Sequence, residues 1–187
     1  MLKEYILSDY KRCGIQKISI GTLFSAFYIH TNPGLKFTTI FRLTQHYRRK
    51  NRLLFYFFFW WLRRLKFKYG IDISYRTQIG KGFYIGHFGN ITIHGDAIIG
   101  ENCNISQGIT IGVSNHGENK GVPTIGNRVF IGPNAVIVGK ITIGNNVTIG
   151  ANTVVTENIA EGKTVRVSKM TVLDKDLSDF YIHNSPN

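Results

Sequence analysis

Residues 85–90 read Ile-Gly-His-Phe-Gly-Asn, and His87 stands where a regular sequence loses its rhythm. Imidazole is the side chain whose ordinary pKa lies near neutrality, so a histidine singled out in this way is a candidate general base. Isoleucine recurs every six residues at 73, 79 and 85, then at 93, 99, 105 and 111, then at 125, 131, 137, 143 and 149, and Val155 closes the series. The step from 85 to 93 is eight, so two extra residues bulge within His87-Phe88-Gly89-Asn90. The step from 111 to 125 is fourteen, two more than two hexads, and its residues GVSNHGENKGVP predict a projecting loop that carries His116.

A period of six is neither helical nor that of an ordinary strand. Fixed self-similarity over many units is the mark of a solenoid, in which each repeat buries its apolar face only by stacking on its neighbours. Each hexad supplies a short strand and a corner. Its isoleucine points inward, and so does the small or branched residue two places earlier, as at Thr77, Ala97, Cys103, Ala135, Val147 and Thr153. Cys103 is therefore expected in the core.

The bulk properties fit one globular domain with an appendage. Of 187 residues, 43% are hydrophobic and 18% charged, enough apolar content for a packed core. The two cysteines, Cys13 and Cys103, form neither a metal-type pair nor a disulfide framework. Charge is uneven: residues 1–70 hold fourteen Lys and Arg against two acidic residues, so the whole net charge of +12 lies there. Three regions follow: a basic, aromatic helical segment over 1–70, the repeat domain over 71–160, and a tail over 161–187. The opening MLKEYILSDYKRC lacks a long apolar stretch, and a cytoplasmic location is expected.

The hexads resemble those of the hexapeptide-repeat acyltransferases. More narrowly, GIDIS (70–74), IGKGFYIGHFGNITI (79–93) and QGITIG with VPTIG (107–126) are similar to the serine acetyltransferase branch. The resemblance covers about half of the chain. It implies a mainly β fold, a left-handed parallel β-helix with three hexads per coil, here with an N-terminal α-helical segment. It also implies a homotrimer, or a dimer of trimers, and acetyl-CoA as the acyl donor without a metal. With three hexads per coil, Asp72 falls on the same edge as His87, one coil away, and Gln107, Pro133 and Ala151 follow on that edge. The long loop falls on the next edge round, where it could cover His87 of a neighbouring copy.

By the same resemblance, His87 and Asp72 match the catalytic His and Asp. His87 would take the proton of an acceptor hydroxyl, and Asp72 would steady the ring. Gly112, Ser114, Gly132, Pro133 and Ala151 match positions along the CoA arm. The family's terminal G-x-P-A-[KR] motif is replaced by VRVSKM (165–170), where Arg166 and Lys169 are the available cations. Gly86, Asn90, His116 and Val122 are the candidate acceptor contacts.

Two departures bear on the acceptor. The serine acetyltransferase pattern has Asp before the catalytic His, where this chain has Gly86. It has Arg-His-Pro at the end of the loop, where this chain has Gly121-Val122-Pro123. A zwitterion leaves costly unpaired charges without such partners. The expectation is therefore O-acetylation of a saccharide of surface polysaccharide synthesis, with L-serine as the alternative acceptor and a non-catalytic solenoid scaffold as the alternative class. His87, His94 and His116 lack the spacing of a three-histidine zinc site.

Residues 34–70 read as two helices ending at Gly70. The second, around LLFYFFFWWL (53–62), is apolar on all sides, which predicts burial against the solenoid or between subunits. Its Arg/Lys flanks and aromatic residues also suit a peripheral contact with the inner face of a membrane. Ten helical residues reach about 15 Å, half the roughly 30 Å of a hydrocarbon core, so the run does not span a bilayer. No nucleic-acid-binding motif accompanies the charge.

Overall fold

The computed structural model describes residues 2–16, 21 and 32–167. Among the described residues three helices precede the repeats: α1 (Leu2–Arg12), α2 (Pro33–Tyr47) and α3 (Arg52–Tyr69). Asn32 and Asn51 cap α2 and α3 by accepting from the backbone N–H groups of Leu35 and Leu54. Gly70 ends α3 in the left-handed region at φ 61°, where a side chain would be strained, and the chain turns directly into the first strand.

Fourteen short strands follow among the described residues: β1 (Ile71–Ile73), β2 (Gln78–Ile79), β3 (Tyr84–Ile85), β4 (Ile91–Ile93), β5 (Ile98–Ile99), β6 (Asn104–Ile105), β7 (Thr110–Gly112), β8 (Thr124–Ile125), β9 (Phe130–Ile131), β10 (Val136–Val138), β11 (Thr142–Ile143), β12 (Thr148–Ile149), β13 (Val154–Val155) and β14 (Thr164–Val165). Every third strand pairs in parallel up to β13, and β14 pairs with β12. The first face is β1-β4-β7-β10-β13, the second β2-β5-β8-β11, and the third β3-β6-β9-β12-β14. The result is the expected left-handed parallel β-helix, of about five turns. The strand pairing continues past residue 160, to Val165.

All thirteen repeat positions are buried, and so are Thr77, Ala97, Cys103, Ala135, Val147 and Thr153. The register stacks like on like, with Ile73 on Ile93, Ile111, Ile137 and Val155 up the first face. Each buried isoleucine contributes roughly 1.5–3 kcal/mol. The corners stack as well. Between the third and first faces, Gly108 N–H donates to Gly89 C=O, Asn134 N–H to Gln107 C=O, and Asn152 N–H to Pro133 C=O. These bonds continue the strand ladders round the corner, so each corner lands on the one before it.

The helices close the N-terminal end of this stack. Phe37, Ile40, Phe41, Leu62 and Leu65 share one core with Ile71, Ile73, Ile79, Phe83 and Ile85. Polar side chains serve the first coil's otherwise unpaired carbonyls. Arg42 donates to Ile79 C=O (2.7 Å) and Gly80 C=O (2.6 Å), and Gln45 donates to Tyr75 C=O (3.2 Å) and Thr77 C=O (2.9 Å). Arg42 also pairs with Asp9 at 2.9 Å, both side chains being 2% exposed, and Asp9 accepts from Phe83 N–H at 2.8 Å. Burial pushes the Asp9 carboxyl up, and the Arg42 charge opposes that rise. One pair thus joins α1, α2 and the first coil.

The second helix packs against the solenoid along one stripe only. In α3 only Leu62 and Leu65 are buried. A single chain offers one docking surface, so a helix that is apolar all round packs one stripe and leaves the opposite stripe outside. Arg42→Met would strand the Asp9 carboxylate and two carbonyls. The expected destabilisation is about 3–5 kcal/mol, read as a lowered midpoint of denaturant unfolding.

Candidate functional site

Corner alignment identifies what the bulge inserts. Gly86 stacks below Ser106 and Gly132, and Gly89 below Gln107 and Pro133, through the N–H bonds of Gly86 to Ile105 C=O, of Ser106 to Ile131 C=O and of the corner series above. The two additional residues are therefore His87 and Phe88. Phe88 packs edge-on against Tyr69 at the end of α3, with ring centroids 5.7 Å apart. His87 is exposed beside it and, among the described residues, makes no hydrogen bond.

Asp72 is the central, outward residue of β1, in register with Thr92. It stands next to the His87 edge, but its partner is Lys66 of α3, with which it forms an ion pair. The helix ends three residues after Lys66, close enough for the ammonium to reach back to the first strand. No His87–Asp72 hydrogen bond is present among the described residues. Asp72 and Asn90 share a groove of about 550 Å³ between α3 and the first two coils. Phe59, Leu62 and Phe67 form its apolar wall, and Arg63, Lys66, Ser74 and Thr92 are polar. Lys66 and Arg63 were not foreseen as site residues. Their place became visible only once α3 docked beside β1.

Further up the His87 edge stand Gln107, then Gly132 and Pro133, then Ala151. At about 4.8 Å per coil this line extends roughly 15 Å. Gly132 is needed for packing, since a Cβ there would lie 2.8 Å from the Ala151 backbone nitrogen. Gln107 was placed on this edge without a role. Its Oε1 is buried and lacks a hydrogen-bond partner among the described residues, so it is an acceptor awaiting a donor one coil above His87. Gly86 has room: a Cβ would meet Tyr84 at 3.5 Å and Ile105 C=O at 3.8 Å, ordinary contacts.

The long loop is confined to one corner. Ile98 N–H donates to Pro123 C=O, which aligns Pro123 with Ala97, so residues 112–123 replace the four residues 94–97 of the coil below. The insertion is eight residues within one hexad step, a correction to its count as two hexads plus two. Ser114 and Gly121 bridge its base, and Ser114 Oγ donates to His116 C=O at 2.9 Å. Asn119 holds the tip, accepting from Lys140 N–H and donating to Thr156 C=O. The loop therefore lies along the first-to-second edge toward the last coil. Gly112, Ser114, His116 and Val122 sit there, across the first face from His87, Gly132, Pro133 and Ala151. One chain does not bring the two sets together.

His94 is half-buried at a wall corner, where its Nδ1 accepts from Asp96 N–H at 3.2 Å. Burial raises the pKa of the Cys103 thiol, which suits a core residue and not a nucleophile. Arg166 is exposed just after β14, and Lys169 lies outside the described residues.

Residues 123–157 match the family described as bacterial transferase hexapeptide (six repeats). A serine acetyltransferase of Synechococcus elongatus is 38% identical over 72 residues, which is 38% of this chain and 30% of that protein. One from Helicobacter pylori is 37% identical over 76 residues, 41% of this chain and 44% of that protein. The matched stretch thus spans less than half the length of either relative. Among solved structures, serine acetyltransferase isoform 3 of Entamoeba histolytica, in complex with cysteine, superposes with a TM-score of 0.71 at 30% identity. That match covers 99% of this chain and 64% of the other. The Neisseria gonorrhoeae serine acetyltransferase, in complex with serine, gives 0.70 at 27% identity, over 89% of this chain and 67% of the other. The chain is a hexapeptide-repeat protein that resembles the serine acetyltransferases in the sequence of its β-helix and in its fold.

Proposed function

We propose that this chain is an acetyl-CoA-dependent O-acetyltransferase that uses His87 as general base. The observation that carries the reading is the insertion of His87 and Phe88 at one corner of an otherwise regular wall, beside a groove that contains Asp72. His87 takes the acceptor hydroxyl's proton as the oxygen bonds to the thioester carbonyl carbon. The carbon–sulfur bond then breaks, and the proton passes to the departing thiolate. Asp72 is the carboxylate available to steady the imidazolium once acceptor binding draws it from Lys66. The pKa rise of buried Cys103 favours direct transfer over a cysteinyl intermediate.

The acceptor best supported is L-serine, because the relatives named above are serine acetyltransferases and one of the matched structures contains serine. The saccharide expectation finds no support among them. Two features keep it as a second reading. Gly86 and Val122 stand where charged partners of an amino acid are expected, and the groove lies in the volume range of pockets for larger ligands.

The two predicted edges meet only between copies, so the active assembly is a closed ring in which one chain's loop covers its neighbour's His87. A threefold ring satisfies this arrangement.

Two substitutions test the proposal. His87→Ala is expected to lower CoA-thiol release with the accepted acceptor by about 10²–10⁴-fold. Near-unaltered turnover would refute the base assignment. Gly86→Asp is accommodated by the structure and is expected to leave stability within about 0.5 kcal/mol. If L-serine is the acceptor, it should lower the KM for L-serine. An unchanged KM for L-serine, together with turnover of amino or neutral sugars by the unaltered chain, would transfer the assignment to a saccharide.

A further inference from the structure

The outer stripe of α3 has no role in the site or the core. Leu53 (83% exposed), Phe57 (58%), Trp60 (60%) and Phe67 (78%) follow one another along it, with Arg64 and Lys68 on the same side. Spacings of four, three and seven residues keep them on one helical face, over about 21 Å. Arg63 lies beside this stripe, its guanidinium 5.3 Å from the Trp60 ring and 5.8 Å from the Phe67 ring. Isolated exposed apolar residues are ordinary, but a contiguous aromatic stripe of this length marks an interaction surface.

The charge says what it meets. Residues 33–69 contain no Asp or Glu. Arg42 and Lys66 have carboxylate partners on other elements, whereas Arg48, Arg49, Arg52, Arg63, Arg64 and Lys68 have none among the described residues. A second copy placed face to face would set cations against cations with no acid to pair them. An anionic surface that accepts aromatic rings at its boundary satisfies both halves of the stripe.

We propose that this face of α3 binds the surface of an anionic lipid bilayer, with its aromatic residues at the headgroup boundary and its basic residues against lipid phosphates. This contact is peripheral: no helix among the described residues is long and apolar enough to cross a membrane. Arg63 and Phe67 also line the groove beside Asp72, so docking places the groove mouth at the bilayer surface.

The test is co-sedimentation of the full chain with vesicles of phosphatidylglycerol and phosphatidylcholine, beside vesicles of phosphatidylcholine alone. Binding is expected to the first and not to the second, weakening as salt rises. Two double variants, Phe57→Ser with Trp60→Ser and Arg64→Glu with Lys68→Glu, are each expected to weaken it about tenfold or more. Circular dichroism would show both folded. No binding to the anionic vesicles at about 0.1 M salt would overturn the proposal. So would binding that depends on the charges but not on Phe57 and Trp60, which would reduce it to attraction for any polyanion. A lower molar mass for the Phe57 and Trp60 variant in solution would instead assign the face to a second copy.

Discussion

Corner stacking is the constraint on which the rest of this molecule depends. Each coil is held to the next by parallel backbone bonds along three faces and at the corners between them. A residue added within a coil cannot be absorbed by the wall, because it would rotate every following isoleucine out of the core. It is tolerated only as an outward bulge at a corner. The chain uses that allowance twice, for His87 with Phe88 at one edge and for the long loop at the next. The regular wall supplies rigidity, and the candidate residues His87 and His116 stand where regularity is broken.

The same constraint creates the need for the helices. A stack of coils ends in strands whose outer polar groups have no partner, an invitation to pair with other chains. Here Arg42 and Gln45 take up carbonyls of the first coil, while Phe37, Ile40 and Phe41 cover its apolar end. Docking α3 also brings Lys66 to Asp72 and Tyr69 to Phe88, so the cap shapes the groove as well as sealing the core. Its outer face remains free for another use.

Much of this was legible in the sequence because the repeat is a local signal. The period of six identified the fold, the inward residues and the position of the bulge, and counting hexads put His87, Pro133 and Ala151 on one edge. What escaped depends on contacts between elements far apart in the chain. Nothing in the spacing of Asp9, Arg42 and Ile79 announces a shared buried network. Lys66 reads as one more cation in a basic helix until α3 lies against β1. The orphan oxygen of Gln107 appears only when its corner is built. Apolar content on every side of α3 suggested burial, but content alone does not say how many surfaces a chain offers.

The central claim is that the site forms between copies, because the wall holds His87 and the loop on different edges. The most direct measurement is activity in mixed assemblies. Chains carrying His87→Ala would be co-expressed, under separate tags, with chains in which residues 112–123 are shortened to a tight corner like that at residues 94–97. Each variant alone should be inactive, and assemblies purified through both tags should recover a fraction of normal CoA-thiol release, since an intact His87 then meets an intact loop. Mixed assemblies that form but stay as inactive as either parent would contradict a site shared between subunits.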